Sequence, residues 1–374
     1  MNPNPVNDSH RYHSVLPENL KASYTSYDNV DFVLSFPGRS LNIGSVCLEG
    51  ELEVHANGLR VAAQDVRYNP LVGAHSFFES LVVSANNSVL ENLTEYPRYV
   101  SMGSAATMNA SDALNSENVC ELKVPFARMS TAVLKGETTP TAAPTRALYL
   151  EPDFSIKPLI CLNSGVGSLP FRRSGDIRVT ANLARVFGAL YGLDVDGGVV
   201  TYKVKDFRLT FTTTADDGSN EPVVMKTKLN IKASVQSSFA NIQTQVPAIC
   251  TAMTASFQIQ TNENTGRYDN LALNAVPNLA QTQFLFNDSS NTLISYIIKE
   301  NSELQDRAID SMMDTGKNSL STQKLANNEG FLVGLDFDAA IDLSQQKFSL
   351  QLTSSITSNL AMIVYMYFHS QISL

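Results

Sequence analysis

The sequence predicts an all-β protein built as two tandem β-sandwich domains. Three observations indicate this fold class. Apolar and polar residues alternate in many short segments, Gly-, Pro- and Asn-rich turn signals separate these segments, and the pattern restarts after a turn cluster at residues 215–220. The length of 374 residues suits two domains or one large β domain. We identify about sixteen strand candidates and a single convincing helix.

The first 28 residues predict an extended arm. This segment contains three prolines and few aliphatic side chains, and it is mildly basic while the chain as a whole carries a net charge of −9. Two interpretations stay open: a solvated tail, or an arm that docks on a neighbouring subunit or on an inner surface. For the second interpretation, the candidate contact residues are Arg11, Tyr12 and Lys21.

The first domain is predicted over residues 29–214. Its clearest strand spans residues 45–54, where apolar residues alternate with Glu49, Glu51 and Glu53. Three acids on one strand face could form a cation site, but a solvated sheet face is the favoured interpretation. Further strand candidates in this domain are residues 30–36, 71–83, 120–129, 147–150, 156–162, 176–183 and 199–213.

The second domain is predicted over residues 215–374. Its strand candidates include residues 223–235, 246–260, 283–286 and 348–352. The one amphipathic helix is predicted at about residues 292–314, where apolar residues recur at helical spacing after Asn291, a plausible N-cap.

The most apolar segment of the chain is residues 360–368. At about nine residues it is too short to cross a bilayer as a helix, and it is rich in β-branched and aromatic residues. We interpret it as a strand that is buried on both faces. Such a strand needs flanking partners, so we expect it to insert between strands made earlier in the chain.

Composition and motifs disfavour several kinds of chemistry. The acidic balance disfavours bulk attraction to nucleic acid or to anionic membranes, and we expect no sequence-specific nucleic-acid binding. No window of about 18 apolar residues predicts a membrane span, and the polar N-terminus predicts no secretory signal. No nucleophile elbow, P-loop or dinucleotide fingerprint occurs.

Four cysteines and two aspartates deserve separate interpretation. The cysteines lack CxxC spacing, which disfavours zinc and thioredoxin-type sites. Buried thiols are the favoured interpretation, with two disulfides as the alternative. Asp336 and Asp338 would face the same side of a strand about 6–7 Å apart, a spacing that a glycosidase could use. A solvated sheet face is favoured for them, and we expect no enzyme activity, metal or cofactor.

Four stretches occur in an order that is familiar from one family: residues 32–54, 70–99, 156–183 and 334–368. They include Pro37-Gly38 before the alternating strand, and His75-Ser-Phe followed later by Tyr96-Pro97. In this order they resemble the double jelly-roll major capsid proteins of icosahedral DNA viruses. That lineage includes adenovirus hexon, membrane-containing tailless bacteriophages, virophages and polinton-like viruses.

The resemblance implies two eight-stranded antiparallel jelly rolls in tandem, with the amphipathic helix in the second. It further implies a structural protein of the virion shell, in which three copies form a pseudo-hexagonal capsomer. Implied partners are other copies of the chain, neighbouring capsomers, minor capsid or penton proteins, and an internal membrane reached by the arm. The alternative function is a carbohydrate- or receptor-binding β-sandwich of a fibre or lectin type, which the absence of tryptophan weakens.

Overall fold

The structure is a computed structural model that describes the following residues: 10–56, 59–60, 67–68, 72–107, 121, 153–191, 198, 200–247, 249–263, 265, 271, 273–287, 292–299, 303, 307–308, 311, 331–344 and 346–374. Strands dominate these residues, and two hydrophobic cores account for most of the buried apolar side chains.

The strands of the first half are β1 Arg11–Val15, β2 Asn29–Leu34, β3 Arg39–Asn42, β4 Cys47–Ala56, β5 Leu59–Arg60, β6 Arg67–Tyr68, β7 Phe78–Ala85, β8 Ser88–Thr94, β9 Asp153–Ile156, β10 Ser168–Pro170, β11 Ile177–Leu183, β12 Leu190–Tyr191 and β13 Val200–Ala215. Those of the second half are β14 Val224–Val235, β15 Phe239–Gln245, β16 Ile249–Ile259, β17 Gln281–Asn287, β18 Thr292–Ile298, β19 Leu332–Asp342, β20 Lys347–Thr353 and β21 Met362–Ser373. The α-helices are α1 Tyr96–Thr107, α2 Phe171–Ser174 and α3 Val186–Ala189.

Both halves fold with the same strand order. In the first half, β1-β13-β4-β9 form what we call the first sheet, and β2-β11-β7-β8 form the facing sheet. In the second half, β14-β21-β16-β19 face β15-β20-β17-β18, which we call the second sheet. When the eight principal strands of each half are counted in chain order, both halves read 1-8-3-6 and 2-7-4-5. This arrangement is the jelly roll, so the predicted all-β fold of two eight-stranded sandwiches is confirmed.

The acidic row of β4 is balanced by basic residues on its neighbour β13. Leu48 is fully buried, whereas Glu49 lies opposite Arg208, with Arg208 Nε 2.9 Å from the carboxylate. Glu53 also pairs with Lys205. Glu53 is itself buried, so this face is partly sheltered rather than fully solvated. The alternating residues of β4 therefore have structural roles: the apolar side chains fill the core, and Glu49 and Glu53 form ion pairs with β13.

The closing segment of the chain lies where its composition predicts. β21 is a central strand between β14 and β16. Met362, Val364 and Met366 belong to the core of the second sandwich. Tyr365 and Tyr367 point to the opposite face and join the core of the first sandwich. The two-sided burial expected for this strand is therefore present, and it links the two cores.

The prediction of one helix over residues 292–314 is wrong for its first part. Thr292–Ile298 form β18, which pairs antiparallel with β17. Ile297 is exposed and Ile298 is buried, so the segment alternates as a strand does. Its contiguous β-branched residues fit a strand, and pairing with β17 overrides the helical spacing. Between residues 300 and 314, the structure describes residues 303, 307–308 and 311, and all of these are helical. The other residues of this stretch lie outside the described part of the chain.

The segment predicted as an arm contributes a strand to the first sandwich. Arg11–Val15 form β1, which pairs antiparallel with β13. The His13 ring lies 4.2 Å from the Phe36 ring and 5.2 Å from the Phe211 ring. Burial of these aromatic faces fixes β1 to the sheet, so the first domain includes residues 11–15 instead of beginning at residue 29. The division of the chain at residues 214 and 215 stays a prediction.

Candidate assembly surfaces and the junction between the sandwiches

The two sandwiches are joined through one continuous sheet. Its eight strands run in the order β19-β16-β21-β14-β8-β7-β11-β2, and we call it the shared sheet. The junction lies between β8, the edge strand of the first sandwich, and β14, the edge strand of the second. These two strands run parallel, with Leu229 opposite Asn92. The junction is therefore an edge-to-edge contact.

A buried ion pair lies at this junction. The Glu91 carboxylate accepts backbone hydrogen bonds from Cys161, at 2.6 Å, and from Lys228, at 2.9 Å. Lys228 Nζ lies 3.9 Å from that carboxylate and donates to the Leu159 carbonyl and to Ser164 Oγ, both at 3.1 Å. Burial raises the pKa of Glu91, and the ammonium group together with the two N–H donors opposes that rise.

Alternate residues of β14 continue the polar contact along the edge. Asn230 accepts a 2.8 Å hydrogen bond from Thr94, and Lys232 binds Glu95 at 3.1 Å and also pairs with Glu263. Burial lowers the pKa of Lys232, but its hydrogen bond to Glu263 and the charge of Glu95 outweigh burial and raise it. The end of β8 and the residue after it, Glu95, are thus bound to the second sandwich, in part by charge-assisted hydrogen bonds.

Helix α1 reinforces the junction with aromatic contacts. The Tyr99 and Tyr367 rings lie 5.1 Å apart, and the Arg98 guanidinium lies 4.6 Å from the centre of the Tyr365 ring. Arg98 also donates to Gln258 of β16. These contacts place α1, which lies between β8 and β9 in the chain, against strands of the second sandwich. The two halves are therefore held by a sheet edge and a helix together.

His75 is part of a buried structural network. Its Nδ1 lies 2.6 Å from Tyr96 Oη, and its Nε2 lies 3.3 Å from the Glu121 carboxylate. Both ring nitrogens therefore face protein groups. The sequence around His75 also lacks the second histidine of a metalloprotease motif.

A cleft of about 420 Å³ opens beside the junction. It is lined by acidic and basic side chains together, among them Glu79, Glu95, Arg185 and Lys232. Burial raises the pKa of Glu79, the nearby charge of Glu95 raises it further, and Arg185 and Lys232 oppose the rise. Glu263 lines the cleft as well, so three carboxylates share it with two cations.

The structure separates the three residues predicted as arm contacts. Arg11 and Tyr12 lie next to each other on β1, where both are exposed. Lys21 lies in the connection between β1 and β2, and its Nζ binds Asp28 at 2.8 Å. It also lies 5.8 Å from the centre of the Tyr24 ring. Arg11 and Tyr12 are thus placed on a sheet edge, whereas Lys21 serves a contact within the chain.

The described residues offer no evident centre for metal chemistry. Within this part of the chain, no three His, Cys, Asp or Glu side chains are grouped so that they could hold a metal ion. Cys161 and Cys250 are free thiols, and burial raises the pKa of Cys250 to about 12. No helix among the described residues is long and apolar enough to cross a membrane.

Comparison with known proteins places the fold. Neither the known protein-family models nor the curated proteins include a match to this chain. The Faustovirus major capsid protein superimposes with a TM-score of 0.58 at 9% identity, covering 98% of this chain and 90% of that chain. The PBCV-1 virus capsid structure gives a TM-score of 0.59 at 11% identity, covering 98% and 95%. The chain has the double jelly-roll fold.

A third double jelly-roll structure extends the comparison. The Sputnik virophage structure matches with a TM-score of 0.55 at 9% identity, covering 98% of this chain and 86% of that chain. The likeness spans both sandwiches in all three cases, because almost the whole chain is covered. The TM-scores of 0.55–0.59 show a shared double jelly-roll fold at identities of only 9–11%, as the sequence resemblance had implied.

Proposed function

We propose that this protein is the major capsid protein of an icosahedral virion and forms its shell. The observation that carries the proposal is the likeness of nearly the whole chain, both sandwiches and their junction included, to structures named as viral capsid proteins. Such a role requires a rigid subunit with extensive surfaces for self-contact. The two cores and the shared sheet meet that requirement.

The proposed assembly unit is a trimer. Each chain supplies two sandwiches of equal strand order, so three copies supply six, which can fill a position of hexagonal symmetry in a shell. Neighbouring trimers would then be the next partners. Minor capsid or penton proteins, and an internal membrane reached by the N-terminal segment, are further proposed partners. No catalytic step is part of this function.

The test is the mass of the purified protein in solution, measured by light scattering over a range of concentrations. One chain has a mass of 40.8 kDa, and we expect three times this mass, stable on dilution. Negative-stain images of the concentrated protein should show hexagonal sheets or shells. A protein that stays monomeric at high concentration would contradict the proposal and would direct attention to the carbohydrate-binding alternative.

A further inference from the structure

The junction within one chain defines a contact that can be repeated between chains. It joins the fifth strand of the first sandwich, β8, to the first strand of the second sandwich, β14. Because both sandwiches have the same strand order, each has an equivalent strand that the internal junction does not use. These are β18, the fifth strand of the second sandwich, and β1, the first strand of the first.

Both of these strands lie at the edge of a sheet within the described part of the chain. Among the described residues, β18 pairs with β17 alone and β1 pairs with β13 alone. An open edge presents backbone N–H and C=O groups that a further strand can bind. Each strand also exposes a large side chain, Ile297 on β18 at 50% and Tyr12 on β1 at 66%. The two edges therefore offer both polar groups and apolar area.

We infer that β18 of one copy docks beside β1 of the next copy, parallel to it, as β8 docks beside β14 within the chain. This inference rests on the proposed function and names the surfaces that would carry it. The contact is heterologous, because different strands meet, and a repeated heterologous contact forms a closed ring when its rotation returns to the first copy, as it would after three copies in the proposed trimer. Three such contacts alternate with three internal junctions around six sandwiches. The second sheet of each copy would continue into the first sheet of its neighbour.

Charge on the second sheet agrees with contact between like copies. Among the described side chains of its outer face, Lys347 is the only charged one, and amides such as Gln243, Gln283 and Gln351 predominate. Each chain carries a net charge of −9, so a charged acidic edge would repel the next copy. The outer face of the second sheet, which ends at β18, carries no described acidic side chain and so avoids that cost. Arg11 adds a positive charge on the β1 side.

The inference is tested by placing one cysteine on each strand. The variant Tyr12→Cys/Ile297→Cys is treated with a short bismaleimide and examined on a denaturing gel. We expect covalent dimers and trimers, at least tenfold above wild type and either single variant, which report the background from native thiols. The control Tyr12→Cys/Phe239→Cys carries its second cysteine at a comparably exposed site on β15, the opposite edge of the second sheet. It should cross-link no more than its single variants.

A second measurement removes the dependence on cross-linking chemistry. Tyr12→Asp and Ile297→Asp should each raise the concentration at half-association by about tenfold or more, because a carboxylate would be buried in the contact. Phe239→Asp should leave it unchanged, and thermal unfolding should confirm that all three variants fold.

The outcomes separate the inference from the proposed function. A wild-type trimer whose 12/297 variant fails to cross-link, or whose association survives both aspartates, overturns the docking of β18 on β1 and leaves the proposed function standing. A wild-type monomer overturns both.

Discussion

Glu91 is the residue on which the contact between the sandwiches most depends. Its carboxylate is fully buried, and it binds the backbone of two segments that belong to different parts of the chain. A buried carboxylate is tolerated only when hydrogen bonds and an opposite charge offset its desolvation. Lys228 supplies that charge from 137 residues further along. Nothing local in the sequence reveals the pair.

Removal of one member of this pair should be strongly destabilising. Lys228→Met leaves the Glu91 charge buried without its cation, and we expect a loss of about 3–5 kcal/mol in the free energy of unfolding. Glu91→Gln should also destabilise, and the double variant should lose less than the sum of the two. Urea denaturation measures all three. Lys157→Met, at an exposed position, is the control and should change stability by less than about 0.5 kcal/mol. If the loss in the double variant equals the sum of the two single losses, Glu91 and Lys228 are not coupled.

Glu79 gives a prediction for pH dependence. Burial and the charge of Glu95 raise its pKa above its ordinary value of 4.5 in the folded protein. Folding therefore favours the protonated carboxyl, and this contribution to stability is fully present below pH 4.5 and is lost as pH rises through the folded pKa. Glu79→Gln removes that loss, so the stability of the variant should improve relative to wild type as pH rises through this window. Urea midpoints at several pH values test this, and a constant difference would refute it.

At the scale of the element, β1 shows how little sequence signal an edge strand needs. Only His13 and Val15 turn inward, so the alternation of inward and outward side chains covers just two inward positions. Such a short pattern cannot be recognised in a segment rich in polar residues. Contact with Phe36 and Phe211, which are far away in sequence, decides the structure. A short strand of this kind is specified by its partner more than by its own composition.

His13→Ala should therefore destabilise the first sandwich. The variant loses two aromatic ring contacts and the 2.8 Å hydrogen bond to Thr213, and we expect a cost of about 1–2 kcal/mol. Ser14→Ala, on the exposed side of the same strand, is the matched control. Thermal unfolding of the two variants distinguishes a strand from a solvated arm, for which both substitutions would be neutral.

The sequence predicted long and strongly alternating elements correctly and missed those whose pattern is ambiguous. β4 and β21 carry enough alternating or apolar residues to be recognised. β18 was predicted as helix because four apolar residues at 293, 294, 297 and 298 satisfy both periods, although its isoleucines favoured a strand. α1 was not recognised as a helix, because the Gly, Ser and Ala residues of its second half give no apolar stripe. The junction itself needed the tertiary structure, since its partners are distant in sequence.

At the scale of the whole molecule, net charge and assembly oppose each other. Every copy carries −9, so copies repel at long range while short-range contacts attract. Salt screens the repulsion more than it weakens apolar contact. We therefore expect the concentration at half-association to fall when ionic strength rises from about 0.02 to 0.5 M, where the screening length shortens several-fold. Light scattering across that range measures it, and weaker association in salt would indicate that attraction between charges drives assembly.

The central position of β21 has a consequence for biosynthesis. In the shared sheet, residues 224–235 pair with residues 362–373, and β16 lies on the other side of the same strand. The first sandwich can close its sheets once β13 has left the ribosome. In the second sandwich, β14 and β16 stay unpaired along these edges until β21 emerges, because β21 is the strand that lies between them. During translation, nascent chains therefore pass through a stage in which a complete first jelly roll precedes an incomplete second one whose strand edges are unpaired. Crowding of polysomes at that stage favours pairing between neighbouring nascent chains.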